Sequence, residues 1–192
     1  PRYGGVSNPA ANQTSSSGPM TRTVRDSAVL LEVMAGHDSR DPVSLRQPVP
    51  DYTSNLTDGV SGMKIGYTFD LGYAAVEPYM VRAVEDAAKN FSELGADVEE
   101  ANLVLNPPPQ EYWWKIWTGN QKAMYGDLVE KYLPELMPYT VQMNYIGAQL
   151  SAAEYSRALR QADEHRSLLE AYFVEYDLLI LPTTAVTAYH HL

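Results

Sequence analysis

The residues able to do chemistry in this 192-residue chain are a serine run, four histidines, three tryptophans and an arginine on a helix-like segment. A self-contained hydrolase needs a nucleophile, a base within hydrogen-bond reach and donors for an oxyanion. Ser15-Ser16-Ser17 offers hydroxyls, but no Gly-x-Ser-x-Gly elbow surrounds it and it abuts a Gly18-Pro19 turn. The chain contains no Gly-rich phosphate loop, no His-Glu-x-x-His pair and no carboxylate cluster with metal-ligand spacing. Cysteine is absent, which excludes disulfides, zinc–thiolate sites and a thiol nucleophile from this chain. His165 falls on an apolar stripe and reads as a core histidine. His190 and His191 would need metal-binding partners that the sequence does not supply. Catalytic residues, metals and cofactors are therefore all assigned as none.

The tryptophans and the arginine remain as candidates for binding. Trp113, Ile116, Trp117 and Asn120 share one helical face, with Trp114 beside it. Aromatics at that spacing bury large area, as core or interface packing or as a surface that recruits a partner or ligand. Arg166 has Asp163 and Glu170 at helical spacing, which suits a solvated ion pair.

The bulk properties narrow the partners. A chain of this length with 45% hydrophobic residues can bury roughly 70% of its unfolded surface, enough for one domain. The net charge of −10 repels phosphate backbones and anionic membrane surfaces, so neither nucleic acid nor membrane is expected as a partner. No apolar run approaches the ~20 residues of a membrane helix and no export signal opens the chain. The absence of cysteine fits a reducing compartment, and a cytoplasmic location is expected.

These residues must be positioned by an α/β arrangement. Residues 1–62 read as a short strand at Tyr3–Ser7, a polar connector, the Gly18-Pro19 turn, a helix, and a long proline-containing excursion from His37 to Gly62. Thr23 with Asp26 caps that helix, Gly36 closes it as the C′ residue, and Val24, Ala28, Val29, Leu30, Leu31, Val33 and Met34 make it almost fully apolar and hence buried. Residues 63–105 form a βαβ unit: a strand at Met63–Tyr67, a helix opened by Pro78 and ended by Gly95, and a strand at Ala96–Glu99. Met80, Val81, Val84, Ala87, Ala88, Phe91 and Leu94 supply the buried face of that helix. The acidic alternation of the second strand places it near a sheet edge.

Residues 106–192 begin with a polyproline-like hinge at Asn106-Pro107-Pro108-Pro109 and continue as an aromatic-rich helical region. Gly119, Gly126, Pro134 and Pro138 predict several short helices there rather than one rod. Ser151-Ala152-Ala153-Glu154 is a capping box that opens a long helix. Leu178-Leu179-Ile180-Leu181 reads as a buried parallel strand. The whole is a single partial domain. It starts inside a strand-like segment without an initiator methionine, so it is expected to be cut from a longer polypeptide.

A family resemblance adds to this reading. Pro1-Arg2-Tyr3-Gly4-Gly5-Val6-Ser7, Gly18-Pro19-Met20-Thr21-Arg22-Thr23-Val24-Arg25-Asp26, the Ala/Leu/Val-rich helix to Gly36, and Asp38-x-Arg40-Asp41-Pro42 resemble the segment following the catalytic core of amidase signature enzymes. The resemblance covers nearly the whole chain. It implies an incomplete amidase signature fold, with helices covering part of a mixed β-sheet, and a parent enzyme that hydrolyses carboxamide bonds through a serine acyl-enzyme. The family's catalytic lysine and two serines lie in motifs that would precede Pro1, so no catalytic residue transfers and the isolated chain is expected to be inactive.

What the resemblance does transfer is substrate-pocket wall, with Trp113, Trp114 and Trp117 as candidates. It also places Arg166 where the amidotransferase branch grips a substrate carboxylate. The implied partners are a small-molecule amide and the missing N-terminal part of the same enzyme, with a homodimer possible. The alternative is a non-catalytic α/β binding or scaffold domain that uses its tryptophan-rich helical face.

Overall fold

A computed structural model describes residues 18–39 and 44–188. Tyr3–Ser7, Ser15-Ser16-Ser17, His190 and His191 lie outside the described residues. Helix α1 spans Val24–Met34, strand β1 Lys64–Tyr67, helix α2 Pro78–Glu93 and strand β2 Asp97–Glu100. Helix α3 spans Gln110–Lys131, a 3-10 turn Leu133–Glu135, helix α4 Pro138–Ala148, helix α5 Ala152–Tyr172 and strand β3 Leu178–Ile180. The chain divides into two compact units, one of residues 59–116 and 150–192 and the other of residues 1–58 and 117–149.

The first unit carries a parallel sheet in the order β2-β1-β3. Ile65 on the central strand is 0% exposed, and Val84 and Ala88 of α2 are buried. Pro78 occupies the first turn of α2, where a missing N–H costs nothing. Gly95 ends it at φ +94°, a conformation that L side chains resist. Leu94, expected on the buried face of α2, is exposed, because as the C-cap it has left the helical stripe. The edge position expected of the acidic strand β2 is the one it holds. Strand β3 is parallel as expected, but Leu178 is exposed and its neighbours are only half-buried, since β3 is the opposite edge.

The C-terminal part of α5 anchors this sheet. A Cβ on Gly66 would stand 2.1 Å from the Tyr172 hydroxyl, so glycine there is what lets the ring approach β1. That hydroxyl donates to the Leu178 carbonyl at 3.1 Å, and the ring stacks on Tyr176 with centroids 4.4 Å apart. Tyr176 donates to Glu99, which also meets Lys64 Nζ at 3.4 Å. After β3, the Thr187 amide and hydroxyl donate to the Glu77 carboxylate at 3.1 and 3.2 Å, tying this segment to the residue that caps α2.

In the second unit, Thr23 caps α1 by accepting the Asp26 amide at 3.1 Å, and Gly36 follows the helix at φ +124°. The near-complete burial expected for α1 is not found: only Ala28 is buried, and Val33 is 79% exposed. Periodicity identifies an apolar surface, but burial needs a second layer. The expected short helices are also corrected. Gly119 and Gly126 lie within the continuous 22-residue α3, because an interior glycine costs only about 1 kcal/mol, whereas Pro134 and Pro138 do open new elements. Gly147 of α4 sets its approach to α3, since a Cβ would lie 2.1 Å from the Thr118 carbonyl oxygen.

Candidate functional site

Helix α3 carries all three tryptophans, and its buried residues in the sheet-bearing unit are Tyr112 and Ile116. These pack with Ala158 on α5, with Tyr155 and Ala162 alongside. The Ser151–Glu154 capping box starts α5, with the Ser151 hydroxyl accepting the Glu154 amide at 3.2 Å and the Glu154 carboxylate accepting the Ser151 amide at 2.9 Å. The Ser151 hydroxyl, then its amide, hold the Glu154 carboxyl below the ordinary carboxylate range.

With Tyr112 and Ile116 turned inward, Trp113 and Trp114 remain 38% and 37% exposed, their rings 5.9 Å apart and tilted by 42°. Trp117 belongs to the other unit, where it is half-buried and 6.2 Å from the Tyr139 ring. The structure thus brings Trp113 and Trp114 together and sets Trp117 against a different aromatic. Arg166 points outward from α5, with Nη1 3.6 Å from Asp163 Oδ1 and both side chains mostly exposed. This is the solvated helical pair among the two readings of Arg166.

Next to Arg166 lies a feature the sequence showed only in half. His165 is 7% exposed, and its Nδ1 is 3.0 Å from the Tyr112 hydroxyl. Its Nε2 is buried with no hydrogen-bond partner among the described residues. Burial, with Tyr73 adding to it, pushes the Tyr112 phenol above the ordinary tyrosine range. The stripe on α5 marks His165 as a core residue, but its partner lies 53 positions away and no local rule joins them.

A serine and a histidine meet elsewhere, at His37 Nδ1 and Ser44 Oγ, 3.0 Å apart. The Ser44 hydroxyl also donates to the Asp38 carbonyl at 3.0 Å and accepts the Asp38 amide at 3.1 Å. Among the described residues no group of three or more histidine or acidic side chains is placed to hold a metal ion. No helix among them is long and apolar enough to cross a membrane. What the geometry offers chemically is an aromatic surface on α3 backed by a buried tyrosine–histidine contact.

Comparison with known proteins places this arrangement. The Amidase family profile matches residues 1–192. An acylamidase from Rhodococcus erythropolis is 30% identical over 88% of this chain and 35% of its own length. An amidase from Pseudomonas putida is 32% identical over 89% of this chain and 37% of its own length. The crystal structure of a bacterial aryl acylamidase of the amidase signature family superposes with a TM-score of 0.78 at 30% identity, covering 88% of this chain and 36% of that one. The chain thus spans well under half the length of these relatives. With its whole length matched and its fold shared, the chain belongs to the amidase family.

Proposed function

We propose that this chain is the C-terminal part of an amidase that hydrolyses carboxamide bonds through a serine acyl-enzyme, and that its contribution is substrate-pocket wall. In that reaction the serine oxygen attacks the amide carbonyl and the amine leaves with a proton. Water then cleaves the ester to release the carboxylate and regenerate the serine. The lysine and the two serines are supplied by polypeptide preceding Pro1. The observation carrying the reading is the family match over residues 1–192 in a chain that spans about a third of its relatives and lacks any nucleophile elbow.

Trp113 and Trp114 support the pocket-wall role as partly exposed aromatics of a kind that suits an apolar or aromatic group. Arg166, occupied by Asp163 in solvent, gives little support to carboxylate capture, so an uncharged amide is favoured over an acidic one. Among the described residues, the exposed apolar side chains of α1 and the edge positions of β2 and β3 support a companion chain segment, the N-terminal part of the same enzyme.

The test is hydrolysis of an anilide such as p-nitroacetanilide. The 192-residue chain alone is expected to give background rate, and the same chain continued upstream through the catalytic motifs a clear rate. In that longer enzyme Trp113→Ala is expected to raise KM by about tenfold with less change in kcat. An unchanged KM would remove Trp113 from the pocket wall.

A further inference from the structure

The second unit contains a cavity of about 410 Å³ at the C-terminal end of α3, roofed by the 3-10 turn and the start of α4. We propose that it binds a small alkyl or arylalkyl ammonium ion. The volume lies within the range of small-molecule sites, and the wall is apolar, from Leu128, Val129 and Leu136, with two phenol rings, Tyr125 and Tyr132. One carboxylate, Glu135, is the charged group of the lining.

Three features choose the sign of the ligand. Glu135 has no ion-pair partner among the described residues, whereas Glu130 is held by Lys122 Nζ at 3.0 Å. The Tyr132 ring already meets an ammonium group, Lys131 Nζ lying 4.9 Å from its centroid, so this ring accommodates a cation, and a ligand ammonium would take the place of that lysine. The chain's net charge of −10 disfavours an anionic ligand. A cation with an apolar body therefore satisfies carboxylate, rings and aliphatic wall together.

Calorimetric titration of the full chain with phenethylammonium chloride tests this by binding alone, so its outcome is independent of whether the parent hydrolyses amides. Saturable one-site binding is expected, at least about tenfold weaker for Glu135→Gln and for the neutral isostere 2-phenylethanol, and within about twofold of the unmodified chain for Glu130→Gln. The isostere comparison uses the unmodified chain and stands whether or not a variant folds. Absence of saturation, equal affinity for the alcohol, undiminished affinity in Glu135→Gln, or equal losses in the two glutamine variants would overturn the assignment.

Discussion

The two units of this chain solve burial differently. In the sheet-bearing unit the buried residues are drawn from strands, helices and the Ala101–Leu105 connection: Ile65, Val84, Ala88, Leu103, Ile116 and Ala158. Backbone and side-chain bonds from α5 and the 180s segment close it further. In the other unit the buried residues include polar ones, Thr118, Asn120 and Asn144, while Val24, Val33, Leu133, Met137 and Tyr145 face outward. Among the described residues, half of the buried side chains in the second unit are polar, whereas those of the first are mostly apolar.

Paired truncations put that contrast to its strongest test. Ile65→Ala removes side-chain atoms from a fully buried site and is expected to cost about 3–4 kcal/mol in urea unfolding followed by circular dichroism. Val33→Ala is expected to stay within about 0.5 kcal/mol, since the side chain is already solvated. Comparable losses at the two sites would erase the distinction.

Next in size is Gly147→Ala, expected to cost about 2–3 kcal/mol because a methyl group would collide with the Thr118 carbonyl, a backbone atom that cannot swing away. A neutral result would mean that α4 and α3 are not held at this separation. Tyr112→Phe is smaller, about 1–2 kcal/mol by the same unfolding measurement, because it leaves both nitrogens of a buried His165 without a protein partner. A stabilised phenylalanine variant would show that the tyrosine–histidine contact does not support the α3–α5 packing.

The smallest effect is a pH dependence at the sheet edge. The Tyr176 hydroxyl first, and then Lys64, hold the Glu99 carboxyl below its ordinary value of 4.5. A depressed carboxyl contributes stability that is present above the unfolded value and is lost as pH falls through the folded one. Urea midpoints measured at about pH 6 and about pH 3.5 should therefore fall more for the unmodified chain than for Glu99→Gln. Equal falls would show that the Lys64–Glu99–Tyr176 contacts add nothing to the sheet.

Much of the fold was legible because its signals are local. Thr23 before Asp26 and Ser151 with Glu154 satisfy backbone amides, Pro78 removes one at a helix start and Gly95 takes a positive φ at a helix end, each within a few residues and as read. The same local logic failed at Gly119 and Gly126, where tertiary packing outweighs the modest cost of glycine in α3. It failed again at Val24 and Val33, because spacing marks an apolar face without saying what covers it. At the candidate site, the stripe containing His165 was readable and the contact with Tyr112 was not, being set by how two distant helices meet. Trp113 and Trp114 were visible as an aromatic cluster, but their exposure follows from Tyr112 and Ile116 taking the inward positions.

Under the proposed function, the nucleophile of the parent amidase is a serine outside this chain. Labelling with a fluorophosphonate serine probe tests it directly, comparing the 192-residue chain with the same chain extended upstream of Pro1. The account predicts a labelled band for the extended polypeptide and none above a heat-denatured control for the chain alone. Stoichiometric labelling of a serine within the chain alone would contradict it.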